Sequence, residues 1–361
     1  MSTLWTSEHD LSDESMPELP RKLDALTTHW LTEALHASNA LAKAKVTAFE
    51  TTPIGTFSSE LCRIHLTYDQ LEPGAPQSLV VKRPREDPRF HLGAGFATEI
   101  DFYRDIAPKL EMRLPRMHYG QYDEATGDAL MLLEYVEGIV PVRFLDGVTE
   151  AHSTRALEAL AAMHAQWWGR VDTLDTLPHL ADASFRASIG EAYDNGWRAS
   201  REYFRVTHDP AFLAIGDALV GRAADNIAPL GSPATLLHGD AHFENLPLVE
   251  EHATQDVFFH DWAAARRGHA SFDVAVFMVQ SYPTDLRGRV EKDWVKAHAD
   301  QVRARGVDDW SDPWQDYRRG VLYWMIHMLE NAQLKPGAKP WIVIPRYVAA
   351  AVELNVSDLI I

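Results

Sequence analysis

The sequence has 361 residues but only one cysteine, Cys62, and it contains no long run of apolar residues. A single thiol excludes a disulfide within the chain and a metal site built from several cysteines. Without about 18 consecutive apolar residues, the sequence predicts no membrane-spanning helix. The first twenty residues are polar and acidic and lack the apolar segment of a signal peptide. These absences predict a cytoplasmic protein.

Positive charge is also scarce, because 34 Lys and Arg stand against 52 Asp and Glu and give a net charge of −18. A nucleic acid or an anionic membrane surface would be repelled unless the protein had a local basic patch. We therefore expect neither as a partner. An acidic balance is common among soluble proteins, and it would also suit a cationic small molecule.

The spacing of apolar residues divides the chain into a strand-rich part and a helical part. Residues 1–20 are expected to form a mobile lead. Residues 21–136 show strand-like patterns, interrupted by the helical pattern "FATEIDFYRDIAPKL". Helical spacing dominates residues 137–361. The sequence thus predicts an α+β fold with a small antiparallel-sheet lobe, built as three strands, a helix and two strands, and a larger, mainly helical lobe.

The stretch "LLHGDAHFENLPLV" places His238, Asp240 and Asn245 in the spacing H-x-D-x-x-x-x-N. Kinase catalytic loops use this spacing, with the Asp accepting the proton of the attacking hydroxyl and the Asn binding magnesium. Phosphoryl transfer depends mainly on positioning and charge neutralisation, so the base and the metal ligand must project from one rigid loop. Magnesium prefers hard oxygen ligands, and Asp261, after the apolar run in "VFFHDW", is the candidate for a second one.

Two stretches upstream fit a bound nucleotide. Lys82 ends the apolar strand "SLVVKRP", and Glu99 on the following helix could pair with it, as the strand Lys and helix Glu of kinases do. The stretch "LLEYVEG" predicts a strand beside which adenine could donate a hydrogen bond to the Glu134 carbonyl and accept one from the Val136 N–H.

In this order, the parts resemble the aminoglycoside phosphotransferase and choline kinase superfamily, which has a protein-kinase-like two-lobe fold, and in particular its ecdysteroid-kinase-like branch. The most specific part of the resemblance is "LLHGDAHFENL" followed by "HDW" and "GHASFDVA". The resemblance implies an ATP-dependent kinase that uses Mg²⁺ to phosphorylate a hydroxyl of a small molecule. It implies that Asp240 is the catalytic base, that Asn245 and Asp261 bind magnesium, and that Lys82 with Glu99 positions the phosphates.

The resemblance also implies supporting and nucleotide-binding residues. His238 would be a structural member of the loop, and Asp273 would support it from the next helix. The nucleotide loop departs from the kinase pattern of several glycines, since "TPIGTFSSEL" has only Gly55. Ser58 and Ser59 would then approach the phosphates with backbone and hydroxyl groups. This departure leaves GTP open in place of ATP.

Two other functions are compatible with the same residues. The first is a metal-dependent hydrolase, because one cluster offers nitrogen and oxygen ligands suited to zinc or iron: His238, Asp240, His242, His260 and Asp261. A hydrolase would, however, give Lys82 no task. The second is a kinase-like protein that binds its ligand without catalysis.

The acceptor and the oligomeric state stay open. Aromatic residues on the predicted helices would suit a bulky apolar alcohol, although aromatic residues at helical spacing more often belong to a core: Trp167, Trp168, Tyr193, Trp197, Tyr203 and Phe204. An amino alcohol or an amino sugar is the alternative, which the acidic balance favours.

Overall fold

The computed structural model describes residues 18–54, 59–85, 93–140, 142, 147–207, 209–251, 254–330 and 339–361. Contacts divide the chain into two compact units, Met1–Gly138 and Ile139–Ile361. Two sequence predictions lie outside the described residues: most of the lead, residues 1–17, and Ser58 of the nucleotide loop.

Unit 1 contains a five-stranded antiparallel sheet with the strand order β1-β2-β3-β5-β4. Helix α1 precedes the sheet, and helix α2, continued by a π-helical turn, lies between β3 and β4 in the chain. The predicted order of three strands, a helix and two strands is confirmed. The elements are α1 Thr28–Ala37, β1 Val46–Ile54, β2 Ser59–Tyr68, β3 Ser78–Pro84, α2 Gly93–Asp101, β4 Met117–Tyr122 and β5 Ala129–Glu134.

The core of unit 1 explains which way its central strands face. Leu31 and Leu35 of α1 share one apolar cluster with Val81 of β3 and Leu132 of β5. Since successive side chains of a strand point to opposite faces, Lys82 leaves the sheet on the face opposite to Val81. This is the face on which α2 packs.

Unit 2 is mainly helical and also contains short strands. Strand β7 pairs with β10, and β6, β8 and β9 form a three-stranded antiparallel sheet. The predicted fold class is therefore confirmed. The elements are β6 Ile139–Val140, α3 Glu150–Trp167, α4 Ala183–Thr207, α5 Pro210–Leu219, α6 Ala223–Ile227, β7 Thr235–Leu237, β8 Leu248–Glu251, β9 Thr254–Val257, β10 Arg266–Gly268, α7 Ser271–Ser281, α8 Thr284–Arg303, α9 Pro313–Glu330 and α10 Lys339–Glu353.

Helix α7 forms the centre of unit 2. All of its residues are buried, and it packs against α8, α9 and α10. A helix that is apolar on nearly every side must be covered on every side. The carboxyl group of Asp273, in the first turn of α7, is therefore fixed inside the unit.

Two elements differ from their sequence predictions. The stretch "PAFLAIGDALVGRAADNI", predicted as one helix, forms α5 and α6, which are separated at Gly221 with φ +71°. The predicted strand "DVFFHDW" is a regular strand only as far as Val257, although Phe258 and Phe259 beyond it are buried and the Phe258 N–H still donates to the Pro247 carbonyl at 2.9 Å. Burial of an apolar run does not by itself require strand pairing. In the part of the chain that the structure describes, no helix is long and apolar enough to cross a membrane.

Candidate functional site

Lys82 and Glu99 form a buried ion pair in unit 1. The Lys82 Nζ lies 2.6 Å from the Glu99 Oε2, and the two side chains are 7% and 0% exposed. The ring of Phe96, one turn before Glu99 on α2, has its centroid 5.7 Å from the Lys82 Nζ. Either residue alone would be expected at the surface, but burial of two opposite charges requires that they be paired.

Glu134, at the end of β5, uses its side chain to hold neighbouring backbone. Its carboxylate accepts hydrogen bonds from both Nη atoms of Arg113, at 3.1 and 2.7 Å, and from the Arg116 N–H at 3.1 Å. Although burial opposes them, these donors lower the pKa of Glu134. The backbone carbonyl of Glu134 and the N–H of the buried Val136 are the groups that the sequence predicts for adenine. Ser59 is buried at the first position of β2.

His238 connects the predicted catalytic loop to the segment that carries Asp261. The Asp240 N–H donates to the His238 Nδ1 at 3.3 Å, so the proton of the neutral ring lies on Nε2, which donates to the His260 carbonyl at 3.0 Å. The ring also packs on Trp262, with centroids 4.4 Å apart. Burial lowers the pKa of His238 and keeps the ring neutral. Both ring nitrogens thus hold the loop in place.

Asn245 connects Asp240 to the same segment. The Asn245 Nδ2 donates to the Asp240 backbone carbonyl at 2.9 Å and approaches the Asp240 Oδ2 at 3.2 Å. The Asn245 carbonyl accepts from the His260 N–H at 3.1 Å, which brings Asn245 beside the residue that precedes Asp261. With its nitrogen bound to Asp240, the side chain of Asn245 can offer a cation its oxygen, Oδ1.

The carboxylate of Asp240 is 38% exposed and is oriented by its neighbours. His242 accepts the Glu244 N–H on Nδ1 at 3.2 Å, so its Nε2 carries the proton that faces the Asp240 Oδ2 at 3.4 Å. His242 and Asn245 therefore both approach one oxygen of Asp240. A carboxylate held in this way but still partly exposed can accept a proton from a bound hydroxyl.

Asp261 has a left-handed backbone, with φ 64° and ψ 64°, directly before a 3₁₀ turn of residues 262–264. Residues other than glycine seldom adopt this conformation, which costs free energy and is found repeatedly at functional sites. An Asp side chain tolerates it better than most. Asp261 and Asn245 together provide hard oxygen ligands, the donor type that magnesium prefers, and thus fit that ion.

Asp273, in the first turn of α7, binds two backbone N–H groups of the loop. Its carboxylate accepts hydrogen bonds from the His238 N–H at 2.7 Å and from the Gly239 N–H at 3.0 Å. Gly239 has φ +86°, and a Cβ there would lie 1.9 Å from the Ala264 carbonyl oxygen. This close approach requires a glycine and packs the loop against the turn after Asp261.

Two loop contacts had no signal in the sequence. The Nε2 of the buried His152 on α3 lies 2.6 Å from the Leu246 carbonyl, across a separation of 94 residues. His242, which the sequence assigned only to the hydrolase alternative, approaches Asp240 instead. Neither contact follows from spacing, because the partners are chosen by tertiary packing.

Three of the aromatic residues predicted on α4 belong to a core, whereas the fourth, Tyr203, is 44% exposed. Tyr193, Trp197 and Phe204 are buried, and their rings stack on one another with centroids 6.4 and 5.8 Å apart. Trp167 and Trp168 at the end of α3 are buried as well. These side chains therefore give no support to a bulky apolar acceptor.

The hydrolase alternative would need His238 as a metal ligand. Both of its ring nitrogens already hold backbone groups, and a metal could displace these bonds only by releasing the loop. Among the described residues, no group of three or more His, Cys, Asp or Glu is arranged to hold a metal ion.

Comparisons with known proteins identify the family and the fold of this chain. The sequence model of the ecdysteroid kinase-like family matches residues 53–304, well over half of the chain. No match was found among proteins of curated function.

Solved structures share the fold at low sequence identity. A type I macrolide 2′-phosphotransferase is 13% identical with a TM-score of 0.52, and the match covers 91% of this chain and 98% of that chain. A Plasmodium vivax ethanolamine kinase is 10% identical with a TM-score of 0.54, covering 93% and 91%. An aminoglycoside phosphotransferase in complex with GDP and kanamycin is 13% identical with a TM-score of 0.51, covering 92% and 100%.

Proposed function

Because the chain belongs to the ecdysteroid kinase-like family, we propose that it transfers the γ-phosphate of ATP to a hydroxyl group of a small molecule and requires magnesium. The observation that carries this proposal is the position of Asn245. Its side chain is bonded to Asp240, and its backbone carbonyl is bonded to the residue before Asp261. The base and the two metal ligands are thus parts of one hydrogen-bonded assembly.

In the proposed reaction, the oxygen of the acceptor hydroxyl attacks the γ-phosphorus, and Asp240 accepts the proton of that hydroxyl. The new oxygen–phosphorus bond forms while the bond from the γ-phosphorus to the bridging oxygen breaks, and ADP leaves with that electron pair. The contacts from Asn245 and His242 to the Oδ2 hold the carboxylate in one orientation. Such positioning is the main contribution that a protein makes to phosphoryl transfer.

Magnesium would be held by the Asn245 Oδ1 and the Asp261 carboxylate. When bound, the ion neutralises charge on the phosphate oxygens. Lys82, oriented by Glu99, would bind phosphate oxygens of the nucleotide. The backbone carbonyl of Glu134 and the N–H of Val136 would bind adenine. Ser58 and Ser59 would contribute hydrogen bonds to the phosphates.

The acceptor proposed is a small hydroxylated compound, either an amino alcohol or amino sugar, or a bulky apolar alcohol. Names of the structural neighbours include ethanolamine and macrolide as compounds acted on, and the net charge of −18 favours a cation. One neighbour holds GDP, so GTP is tested beside ATP. We also propose that the protein acts in the cytoplasm, a reducing compartment that supplies nucleotide and in which a chain with a single thiol needs no disulfide.

A thermal-shift titration tests nucleotide binding. A ligand at about 100 times its dissociation constant stabilises the folded state by about 2.7 kcal/mol, so ATP with magnesium chloride should raise the melting temperature. A panel of amino alcohols, amino sugars and apolar alcohols is then screened for acceptor-dependent ADP release. A response to zinc, with none to ATP or GTP plus magnesium, would contradict the proposal and favour the hydrolase.

A further inference from the structure

A third donor reaches the carboxylate that holds the catalytic loop. The Nε2 of His164 on α3 lies 3.2 Å from the Asp273 Oδ2, the same oxygen that accepts the His238 N–H. Both His164 and Asp273 are fully buried. A buried carboxylate is stable only when donors satisfy its oxygens, and here one imidazole and two loop N–H groups do so.

The contacts continue from His164 to a second buried histidine on α8. The His164 Nδ1 lies 3.1 Å from the His298 Nε2. Burial lowers the pKa of His298 well below its usual value, so that ring is neutral. Its Nδ1 has no hydrogen-bond partner among the described residues, as expected if its only proton lies on Nε2 and is donated to His164.

With this assignment, the hydrogen bonds between His298, His164 and Asp273 all run in one direction. His298 donates from Nε2 to the His164 Nδ1, and His164 therefore carries its proton on Nε2 and donates it to Asp273. The side chains around the series are aromatic: Trp310 lies 5.6 Å from His298 between ring centroids and 5.3 Å from Trp168. Apolar rings exclude water that could otherwise replace a lost donor.

We propose that His164 is a positioning residue for the transfer, acting through Asp273 on the loop that carries Asp240. The proposal rests on the function proposed above. By donating to the Oδ2, His164 fixes the carboxylate plane so that its two oxygens meet the His238 and Gly239 N–H groups together. Without that donor, and with water excluded, the carboxylate can rotate, and the first residues of the loop lose their fixed position.

The effect is expected on kcat rather than on nucleotide binding. Asp240 follows the two amides that Asp273 accepts, whereas Lys82 belongs to unit 1 and makes none of these contacts. A displacement of about 1 Å in a catalytic group can lower the rate about 100-fold. For His164→Leu we expect kcat to fall about 10- to 100-fold and the KM for ATP to change by less than about threefold.

The variant His164→Gln is the conservative rescue. Its amide nitrogen can reach the place of the histidine Nε2 and donate to Asp273, so it should restore most of the rate. Leu160→Ala is the structural control, since Leu160 is a fully buried residue one turn earlier on α3. It should lower the melting temperature, because it leaves a cavity in the core, but leave kcat unchanged where it stays folded.

Hydrogen–deuterium exchange of the peptide 236–246 provides a readout that needs no activity. Exchange should be faster in His164→Leu, near the wild-type rate in His164→Gln, and unchanged in Leu160→Ala. If His164→Leu does not fold, His298→Phe removes only the donor to His164 and should change kcat and exchange in the same direction, by less.

The inference and the proposed function can fail separately. A wild-type protein that binds no nucleotide contradicts the proposed function, while unchanged exchange in the peptide 236–246 contradicts the role of His164 whether or not transfer is seen. In an active enzyme, a kcat for His164→Leu within twofold of wild type, or a His164→Gln as slow as His164→Leu, also overturns the inference.

Discussion

Lys82 and Glu99 form a buried ion pair that stabilises the fold, and in the proposed function Lys82 also binds phosphate. Mutation can separate these two contributions. A single change such as Lys82→Met removes the ion-pair partner of the buried Glu99 carboxylate, and breaking a buried pair in this way costs about 3–5 kcal/mol of unfolding free energy. Changing both, with Lys82→Met and Glu99→Gln, removes both charges and should cost less than the two single changes added together. Urea unfolding of the four proteins measures this coupling.

Nucleotide affinity should behave differently in the same variants. Both proteins that lack the Lys82 charge should bind ATP and magnesium weakly, including the double variant in which stability recovers. If the double variant regains nucleotide affinity together with stability, Lys82 is only a structural partner of Glu99 and does not bind phosphate.

Asp240 and Asp261 can be distinguished by magnesium. Asp240→Asn keeps the size of the side chain and removes the proton acceptor, so transfer should fall about 10²- to 10⁴-fold while nucleotide binding persists. Asp261→Asn keeps a residue type that tolerates the left-handed backbone at φ 64° but removes a charge that holds the ion. The measurement is the magnesium concentration that gives half-maximal nucleotide binding.

That concentration should rise for Asp261→Asn and stay near the wild-type value for Asp240→Asn. An equal shift in both variants, or a shift in Asp240→Asn alone, would show that the assignment of base and metal ligand is wrong, even in an active kinase.

Among the elements, those with regular periodicity were predictable from sequence, and those defined by long-range contacts were not. Strand β3, which carries Lys82, and helix α3 follow from apolar spacing alone. The break at Gly221 was missed because one glycine with φ +71° ended an otherwise continuous helical pattern. Spacing identified Asp240 and Asn245, which belong to one loop, but not His152 or His164, whose partners are distant in sequence.

The catalytic loop and the turn after Asp261 form a closely packed pair of segments, and Gly239 tests that packing. An alanine there would suffer both the positive φ, at about 1–2 kcal/mol, and a Cβ 1.9 Å from the Ala264 oxygen. Gly221→Ala is the matched control, because its φ is +71° but its Cβ would meet nothing within 4 Å.

We expect Gly221→Ala to lower the free energy of unfolding by about 1–2 kcal/mol without changing transfer. Gly239→Ala should lower it further and abolish most ADP release, because the loop must move away from Ala264. Equal losses of stability in the two variants, with activity retained in both, would contradict the packing described for the loop.

At the scale of the whole molecule, buried histidines lead us to expect that acid lowers the free energy of unfolding. Among the described residues, five histidines that are buried in the fold have a pKa lowered chiefly by burial: His118, His152, His238, His269 and His298. The pKa is lowered to about 4 for His118 and to about 3 for His269. Below the usual histidine pKa of about 6.5, the unfolded chain therefore binds protons that the folded chain does not bind.

The sign of the pH dependence follows directly. These histidines favour folding fully above about pH 6.5, and their contribution is lost as the pH falls toward the folded pKa. Each buried ring adds a slope of about 1.4 kcal/mol per pH unit within that window. The free energy of unfolding should therefore fall steeply between about pH 6.5 and pH 4, as urea titrations at several pH values would measure.

Replacing His118 tests this pH dependence at a single buried histidine of unit 1. It is buried on β4, its Nδ1 has no hydrogen-bond partner among the described residues, and the charge of Arg116 adds to burial in lowering its pKa. His118→Leu cannot take up a proton in either state. The difference in unfolding free energy between His118→Leu and wild type should therefore shift by about 2 kcal/mol in favour of the variant when the pH is lowered from 7.5 to 5. His65→Leu, exposed on the same sheet, is the control, and an equal gain at pH 5 in both variants would contradict burial as the cause.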